Sequence, residues 1–242
     1  MDLYGLIGRN ISYSFSPGYF REKFQKEGID ADYVIFDIDD IRKLPDIISK
    51  NPNLRGLNVT IPYKQEVIHF LDELSEDATK IGAVNTIAFR NGKLIGHNTD
   101  WIGFRDSIKP MLDESHQKAL ILGTGGAAQA VAYALDSLNI RYEFVSRSGE
   151  FGYEEIGQRA FFESTIIINC TPVGTHPNTE EAVPIPYYLF TEKHIAYDLI
   201  YNPEKTLFLQ KAEAAGAKIK NGREMLERQA EESWKIWGDL KI

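Results

Sequence analysis

Twice along this chain of 242 residues, short apolar runs suited to buried strands alternate with longer helix-like stretches. That alternation constrains the fold more than any other feature. In the first series, residues 3–8, 33–38 and 55–60 read as strands, while 17–27, 41–50 and 64–74 read as helices. This predicts a parallel-rich α/β sheet. Residues 84–90 and 93–96 flank Asn91-Gly92, a two-residue hairpin signal, so the first sheet should also carry an antiparallel pair and be mixed. A helix over 100–109 and a polar, turn-rich stretch over 110–117 precede the second series. There, strands are expected at 118–122, 142–145, 165–169 and 195–199 and helices at 127–138 and 205–215, which makes a small doubly wound unit. The expected organisation is two α/β domains. One comprises 1–100 with a returning C-terminal helix in 223–242; the other is a Rossmann-like domain over 101–222.

With 43% hydrophobic and 12% aromatic residues, the chain can bury a sizeable core. Its 27 basic and 35 acidic residues give a net charge of −8. No basic field is available for nucleic acid or anionic lipid, although a local positive pocket for a phosphorylated cofactor is compatible with this balance. Cys170 is the only cysteine, which excludes an internal disulfide and fits a reducing compartment. Met1 is followed by a polar, strand-like start, and no apolar run approaches membrane-spanning length, so a cytoplasmic protein is expected. The five histidines (His69, His97, His116, His176 and His194) show no metal-ligand spacing, and no metal site is expected.

Strand 119–122 runs into Gly123-Thr124-Gly125-Gly126-Ala127-Ala128, which satisfies G-x-G-x-x-A and opens a helix. Gly123 suits the tight turn, Gly125 admits a pyrophosphate to the backbone, and Ala128 allows close helix–strand contact. The amides of Gly126 and Ala127 would face phosphate oxygens. At the tip of the next strand, Ser146-Arg147-Ser148 offers a guanidinium and two hydroxyls where an NAD site would carry a carboxylate, so NADP is favoured.

The first half contains Asn58-Val59-Thr60-Ile61-Pro62 followed by Lys64. Pro62 suits the first position of a helix, which places a lysine in a first helical turn where the macrodipole disfavours it. A residue held against a local rule is a candidate for chemistry. Ser14 and Ser16 precede the first helix, where Ser16 reads as an N-cap and the hydroxyls also suit a carboxylate ligand. Asn85 and Thr86 interrupt an apolar strand, and Asp100 reads equally as a functional carboxylate or a helix N-cap. Gln229 lies four residues after Met225, on or beside the apolar side of the last helix, where a polar group needs a partner.

In order along the chain, these residues resemble one family, shikimate dehydrogenase. Its S-x-S-P element matches Ser14-Phe15-Ser16-Pro17, and its N-V-T-x-P-x-K element matches the stretch from Asn58 to Lys64. G-A-V-N-T begins at Gly82, and N-T-D-x-x-G-F runs from Asn98 to Phe104. Downstream, Asn169 to Gly174 resembles N-x-T-P-x-G, Asp198 to Pro203 resembles D-x-x-Y-x-P, and Gly222 to Ala230 resembles G-x-x-M-L-x-x-Q-A. The chain departs from the family at Ser146-Arg147-Ser148, where N-R-T is frequent, at Thr124, where alanine is, and at Glu224. It also has a shorter stretch over 151–162.

The resemblance implies reversible, NADPH-dependent reduction of 3-dehydroshikimate to shikimate, a step of aromatic amino acid biosynthesis, in a monomer or homodimer whose only partners are small molecules. It implies that Lys64 and Asp100 are catalytic; the N-terminus of the helix expected at 64–74 would lower the Lys64 pKa while Asp100 opposes that shift. Ser14, Ser16, Thr60, Asn85, Tyr201 and Gln229 would bind substrate. Thr171 and Gly222 would join Gly123, Gly125, Gly126, Ala127, Ala128, Ser146, Arg147 and Ser148 in holding NADP, and a cleft between the domains would close on both ligands. Two rivals are a relative that oxidises quinate with NAD and a non-catalytic nucleotide sensor. Ser14, Ser16 and Arg147 argue against the first, and Lys64 with Asp100 against the second.

Overall fold

A computed structural model describes residues 1–12, 14–149 and 151–238; residues 239–242 of the expected first domain lie outside them. The chain divides into two compact units, Met1–Thr99 together with the chain from Ala230 onward, and Asp100–Gln229.

The first unit holds a six-stranded mixed sheet. Its strands are β1 (Asp2–Gly8), β2 (Ala31–Asp37), β3 (Leu54–Val59), β4 (Glu73–Leu74), β5 (Thr86–Arg90) and β6 (Lys93–His97), in the order β2-β1-β3-β5-β6-β4. β1 runs parallel to β2 and β3, and β5 is antiparallel to both β3 and β6. The β5–β6 hairpin turns on Asn91 and Gly92, both with positive φ (51° and 76°), as a turn matched to strand twist requires. Successive residues face opposite sides of the sheet. Ile7, Leu57 and Ile87 enter one core with Leu44 and Val67, while Leu6 and Ala88 enter another with Phe20, Phe24, Tyr33 and Trp237. The second core brings together α1 (Ser16–Glu27) and the end of the last helix, α8 (Arg223–Gly238); on the other face lies α2 (Leu44–Lys50).

The second unit is a five-stranded parallel sheet, β7 (Lys118–Leu122), β8 (Arg141–Val145), β9 (Ile166–Asn169), β10 (Ile195–Asp198) and β11 (Lys218–Lys220), in the order β11-β10-β9-β7-β8. Both faces of its central strands are covered, so β9 reads Ile-Ile-Ile-Asn without polar alternation. Ala119, Ile121 and Ile168 pack with Phe104 of α4 (Asp100–Ile108) and with Ala128 and Val131 of α5 (Gly126–Ser137). On the opposite face Leu120, Leu122 and Ile167 pack with Phe161 of α6 (Gln158–Glu163) and Phe208 of α7 (Leu207–Ala214).

Three local expectations are corrected. The helix over 64–74 does not form: residues 61–65 are a turn, the Ile61–Pro62 peptide is cis, and a 3-10 helix occupies Glu66–Phe70. Backbone groups beyond it pair with the sheet instead, since the Asp72 N–H donates to Leu94 O (3.0 Å) and the Ser75 N–H to Gly96 O (2.9 Å). Ser75 then caps an additional helix, α3 (Glu76–Ile81), by accepting from the Ala78 N–H. The second correction concerns Ser16, which is the first helical residue and not the N-cap; Phe15 holds that position and Pro17 follows within the first turn. Third, α6 and β11 were absent from the expected elements, both being too short for periodicity to declare. Among the described residues no helix is long and apolar enough to cross a membrane.

Candidate active site

In the first unit, candidate residues collect at one edge of the sheet, where β1 and β3 end and β5 begins. Thr60 follows β3, and its N–H donates to Ile7 O at 2.9 Å. The turn after it is closed by the Tyr63 N–H on Thr60 O (2.9 Å). The Lys64 carbonyl accepts from the Val84 N–H at 2.7 Å, and the Val59 N–H donates to Asn85 O at 2.8 Å. Thr60, Lys64 and Asn85 are therefore tied by backbone to neighbouring points of one edge. Lys64 is half-buried, and the helix expected to begin there is replaced by a turn and a 3-10 helix.

The loop after β1 is fixed by Asp37, whose carboxylate accepts from the N–H groups of Asn10 (2.8 Å) and Ile11 (3.1 Å). Ser14 follows, half-buried, its N–H on Ile11 O at 3.0 Å. Ser16 is buried beside Tyr33; burial pushes the Tyr33 phenol well up, and its hydrogen bond with the Ser16 hydroxyl opposes that shift. Tyr33 in turn donates to Asn58 Oδ1 at 2.8 Å.

Asn85 is 3% exposed and gripped by Thr99. Its Oδ1 accepts the Thr99 N–H at 2.7 Å while its Nδ2 donates to the Thr99 hydroxyl at 2.9 Å. The next residue, Asp100, is 5% exposed and opens α4, where the positive end of the helix dipole favours a carboxylate. Asp100 and Gln229 are the first and last residues of the second unit. Gln229 is 7% exposed, with Nε2 donating to Leu226 O at 2.9 Å.

In the second unit the remaining candidates all follow the carboxyl ends of parallel strands, the edge at which open α/β sheets bind ligands. Gly123 follows β7 with φ +110°, a conformation suited to glycine. Gly125 is exposed at ordinary φ (−73°), and a Cβ built on it would meet no protein atom within 4 Å. Neither conformation nor protein packing requires glycine there, which fits a backbone left bare for a ligand. It is the N-cap of α5, and no side chain caps that helix. The first-turn amides, those of Gly126, Ala127 and Ala128 among them, have no acceptor within the helix, and Ala128 itself is fully buried.

After β8, Ser146 is half-buried, Arg147 and Ser148 are exposed, and the Ser146 N–H closes a loop onto Phe151 O at 3.1 Å. These residues fit a dinucleotide with a 2′-phosphate: uncapped amides for the pyrophosphate, a cation and two hydroxyls at the strand tip. Thr171, after β9, engages Asn169 Oδ1 through both its N–H (3.0 Å) and its hydroxyl (2.7 Å). Tyr201 follows β10 and Gly222 follows β11. At Gly222 a Cβ would lie 2.0 Å from Leu199 O, so packing alone demands glycine.

Sequence reasoning gave no role to Asp198, which is fully buried at the end of β10. It accepts from Asn169 Nδ2 (3.1 Å), the Ile200 N–H (3.0 Å) and the Thr206 hydroxyl (2.5 Å), yet burial raises its pKa to about 7. Ser233 was also passed over. It was detectable as the polar step in a buried stripe of α8 with four-residue spacing, Met225, Gln229, Ser233 and Trp237. Among the described residues no group of three or more His, Cys, Asp or Glu gathers as metal ligands would.

Known proteins resemble the chain over nearly its whole length. Residues 6–87 match the family model described as shikimate dehydrogenase substrate binding domain. A protein named shikimate dehydrogenase (NADP(+)) from Caldicellulosiruptor saccharolyticus is 37% identical, over 97% of this chain and 91% of that protein. The crystal structure of shikimate dehydrogenase from Aquifex aeolicus superposes with a TM-score of 0.89 at 33% identity, covering 100% of this chain and 94% of the other. A shikimate 5-dehydrogenase from Thermus thermophilus, in complex with NADP(H) and shikimate, superposes with a TM-score of 0.88 at 30% identity, covering 99% and 94%.

Proposed function

The chain belongs to the shikimate dehydrogenase family, and on that premise we propose that it catalyses the reversible NADPH-dependent reduction of 3-dehydroshikimate to shikimate. The observation that carries this reading is the convergence of Thr60, Lys64 and Asn85 on one sheet edge of a chain whose second sheet presents a bare glycine turn and Arg147 at its own carboxyl edge. Substrate is assigned to residues 1–100 and 223–242 and NADP to 101–222. The lone Cys170 fits work in the cytoplasm.

NADPH, when bound, would supply the hydride and be left as NADP(+). Gly123, Gly125, Gly126, Ala127 and Ala128 would hold its pyrophosphate, Ser146, Arg147 and Ser148 its 2′-phosphate, and Thr171 and Gly222 would line the same edge. As the substrate carbonyl is reduced, negative charge grows on its oxygen. The Lys64 ammonium stabilises that charge and donates the proton. Asp100 accepts from a ring hydroxyl and orients it; Thr60, Asn85 and Gln229 supply further donors and acceptors for ring hydroxyls. Ser14 and Tyr201 take the substrate carboxylate, and Ser16 joins them by turning its hydroxyl proton from Tyr33 to the ligand.

The test is to follow nicotinamide absorbance with purified protein, crossing shikimate and quinate against NADP and NAD. Turnover should be highest with shikimate and NADP. Activity confined to quinate and NAD, or no activity with any pair, would overturn the assignment.

A further inference from the structure

Behind Asn85 lies a buried cluster of three hydroxyls contributed by separate elements: Thr86 of β5, Thr99 between β6 and α4, and Ser233 of α8, each with no exposed surface. Ser233 Oγ lies 2.8 Å from Thr86 Oγ1 and 3.2 Å from Thr99 Oγ1, whereas the two threonines are 3.5 Å apart. Asn85 closes both ends. Its Nδ2 donates to the Thr99 hydroxyl (2.9 Å), and its Oδ1 accepts from the Thr86 hydroxyl (3.1 Å). One assignment of protons satisfies every hydroxyl: Asn85 Nδ2 to Thr99, Thr99 to Ser233, Ser233 to Thr86, and Thr86 back to Asn85 Oδ1. Asn58 Nδ2 supports the ring from outside, donating to Thr86 Oγ1 at 3.2 Å and to Ser233 Oγ at 3.0 Å.

We propose that Ser233 is a positioning residue for substrate recognition, closing a one-way hydrogen-bond ring that fixes the rotation of the Asn85 amide. This deepens the functional reading above and rests on Asn85 meeting a substrate hydroxyl. The two N–H bonds of a planar amide diverge, so holding one inside the ring sets the direction of the other. Bonds running in one sense around a ring reinforce each other, and the low dielectric of a fully buried site strengthens each of them. Without the serine hydroxyl the two threonines lie 3.5 Å apart, the limit of a useful hydrogen bond, and the Thr99 hydroxyl is left its longer contact with Asn85 Oδ1 (3.3 Å), so the one-way ring opens.

The test is a double-mutant cycle of Ser233→Ala and Asn85→Ala, with KM for shikimate and kcat read at saturating NADP. Exchange of the Asn85 side-chain NH2 protons, read by NMR, gives a measurement independent of turnover. Ser233→Ala should raise KM for shikimate about fivefold, the worth of one hydrogen bond, with kcat within about twofold and the KM for NADP unchanged. In the Asn85→Ala background it should add nothing further, and it should speed side-chain exchange at Asn85 in the otherwise normal protein. Ser233→Thr, which returns the hydroxyl, should restore part of the KM. A purely structural serine would lower the melting temperature while leaving KM and Asn85 exchange unchanged, and that outcome overturns the proposal. Equal KM effects of Ser233→Ala with and without Asn85 would overturn it too. If Asn85→Ala alone leaves the shikimate KM unchanged, the assignment of Asn85 to substrate fails; exchange at Asn85 then still decides whether Ser233 fixes the amide.

Discussion

Asn169 donates to the Asp198 carboxylate at 3.1 Å across the ends of neighbouring strands β9 and β10, pinning two of the loops that carry candidate cofactor and substrate residues. The same amide side chain accepts from Thr171, and the other Asp198 oxygen accepts from Thr206, the N-cap of α7. Burial nonetheless raises Asp198 from its ordinary 3.8 to about 7.

A carboxyl raised by folding holds its proton more tightly in the native state than in the unfolded one. Its contribution to stability is complete below the unfolded value and is lost as pH rises through about 7. Asp198→Asn mimics the protonated form and removes this dependence. Relative to the parent, the variant should gain stability as pH rises from 5 to 8, by at most about 3 kcal/mol, because about two pH units of that window lie below the raised value. Urea denaturation at the two pH values checks this; a difference that is flat or falls with pH contradicts it.

Two glycines at the carboxyl edge of the second sheet should answer alanine differently. Gly222→Ala drives a Cβ against the Leu199 backbone and should cost at least about 3 kcal/mol in denaturant unfolding. Gly125→Ala has open space and an accessible conformation, so stability should change by less than about 1 kcal/mol. Its KM for NADP should nevertheless rise several-fold. An unaltered NADP KM would remove Gly125 from the cofactor site.

Arg147→Gln removes the cation from the β8 tip without disturbing a buried contact. The KM for NADP should increase about tenfold, the lower range for a charge-assisted bond at an exposed site, with NAD use and the shikimate KM little changed. Equal losses with NADP and NAD would show that the guanidinium does not read the 2′-phosphate.

Much of this architecture was legible in the residues, for identifiable reasons. Central strands such as Ile166–Asn169 are buried on both faces and announce themselves as continuous apolar runs. Asn91-Gly92 announces its hairpin by the only backbone such a turn accepts. The stretch after Pro62 misled because its periodicity is helical while its backbone partners lie on β6, a distant contact that no local pattern encodes. Ser16 misled for a related reason. Its type suits a cap, yet its side chain turns inward to Tyr33. The Asn85 ring was half visible: Asn85 and Thr86 stood out as polar steps in an apolar strand, but Thr99 and Ser233 join them only through tertiary packing.

The most direct test of the account is the turnover of Lys64→Ala at saturating shikimate and NADP. The account predicts a fall in kcat of about a hundredfold or more with KM for shikimate within a few-fold of the parent, because the lost ammonium acts on charge that develops only during reaction. A kcat close to that of the parent enzyme would contradict it.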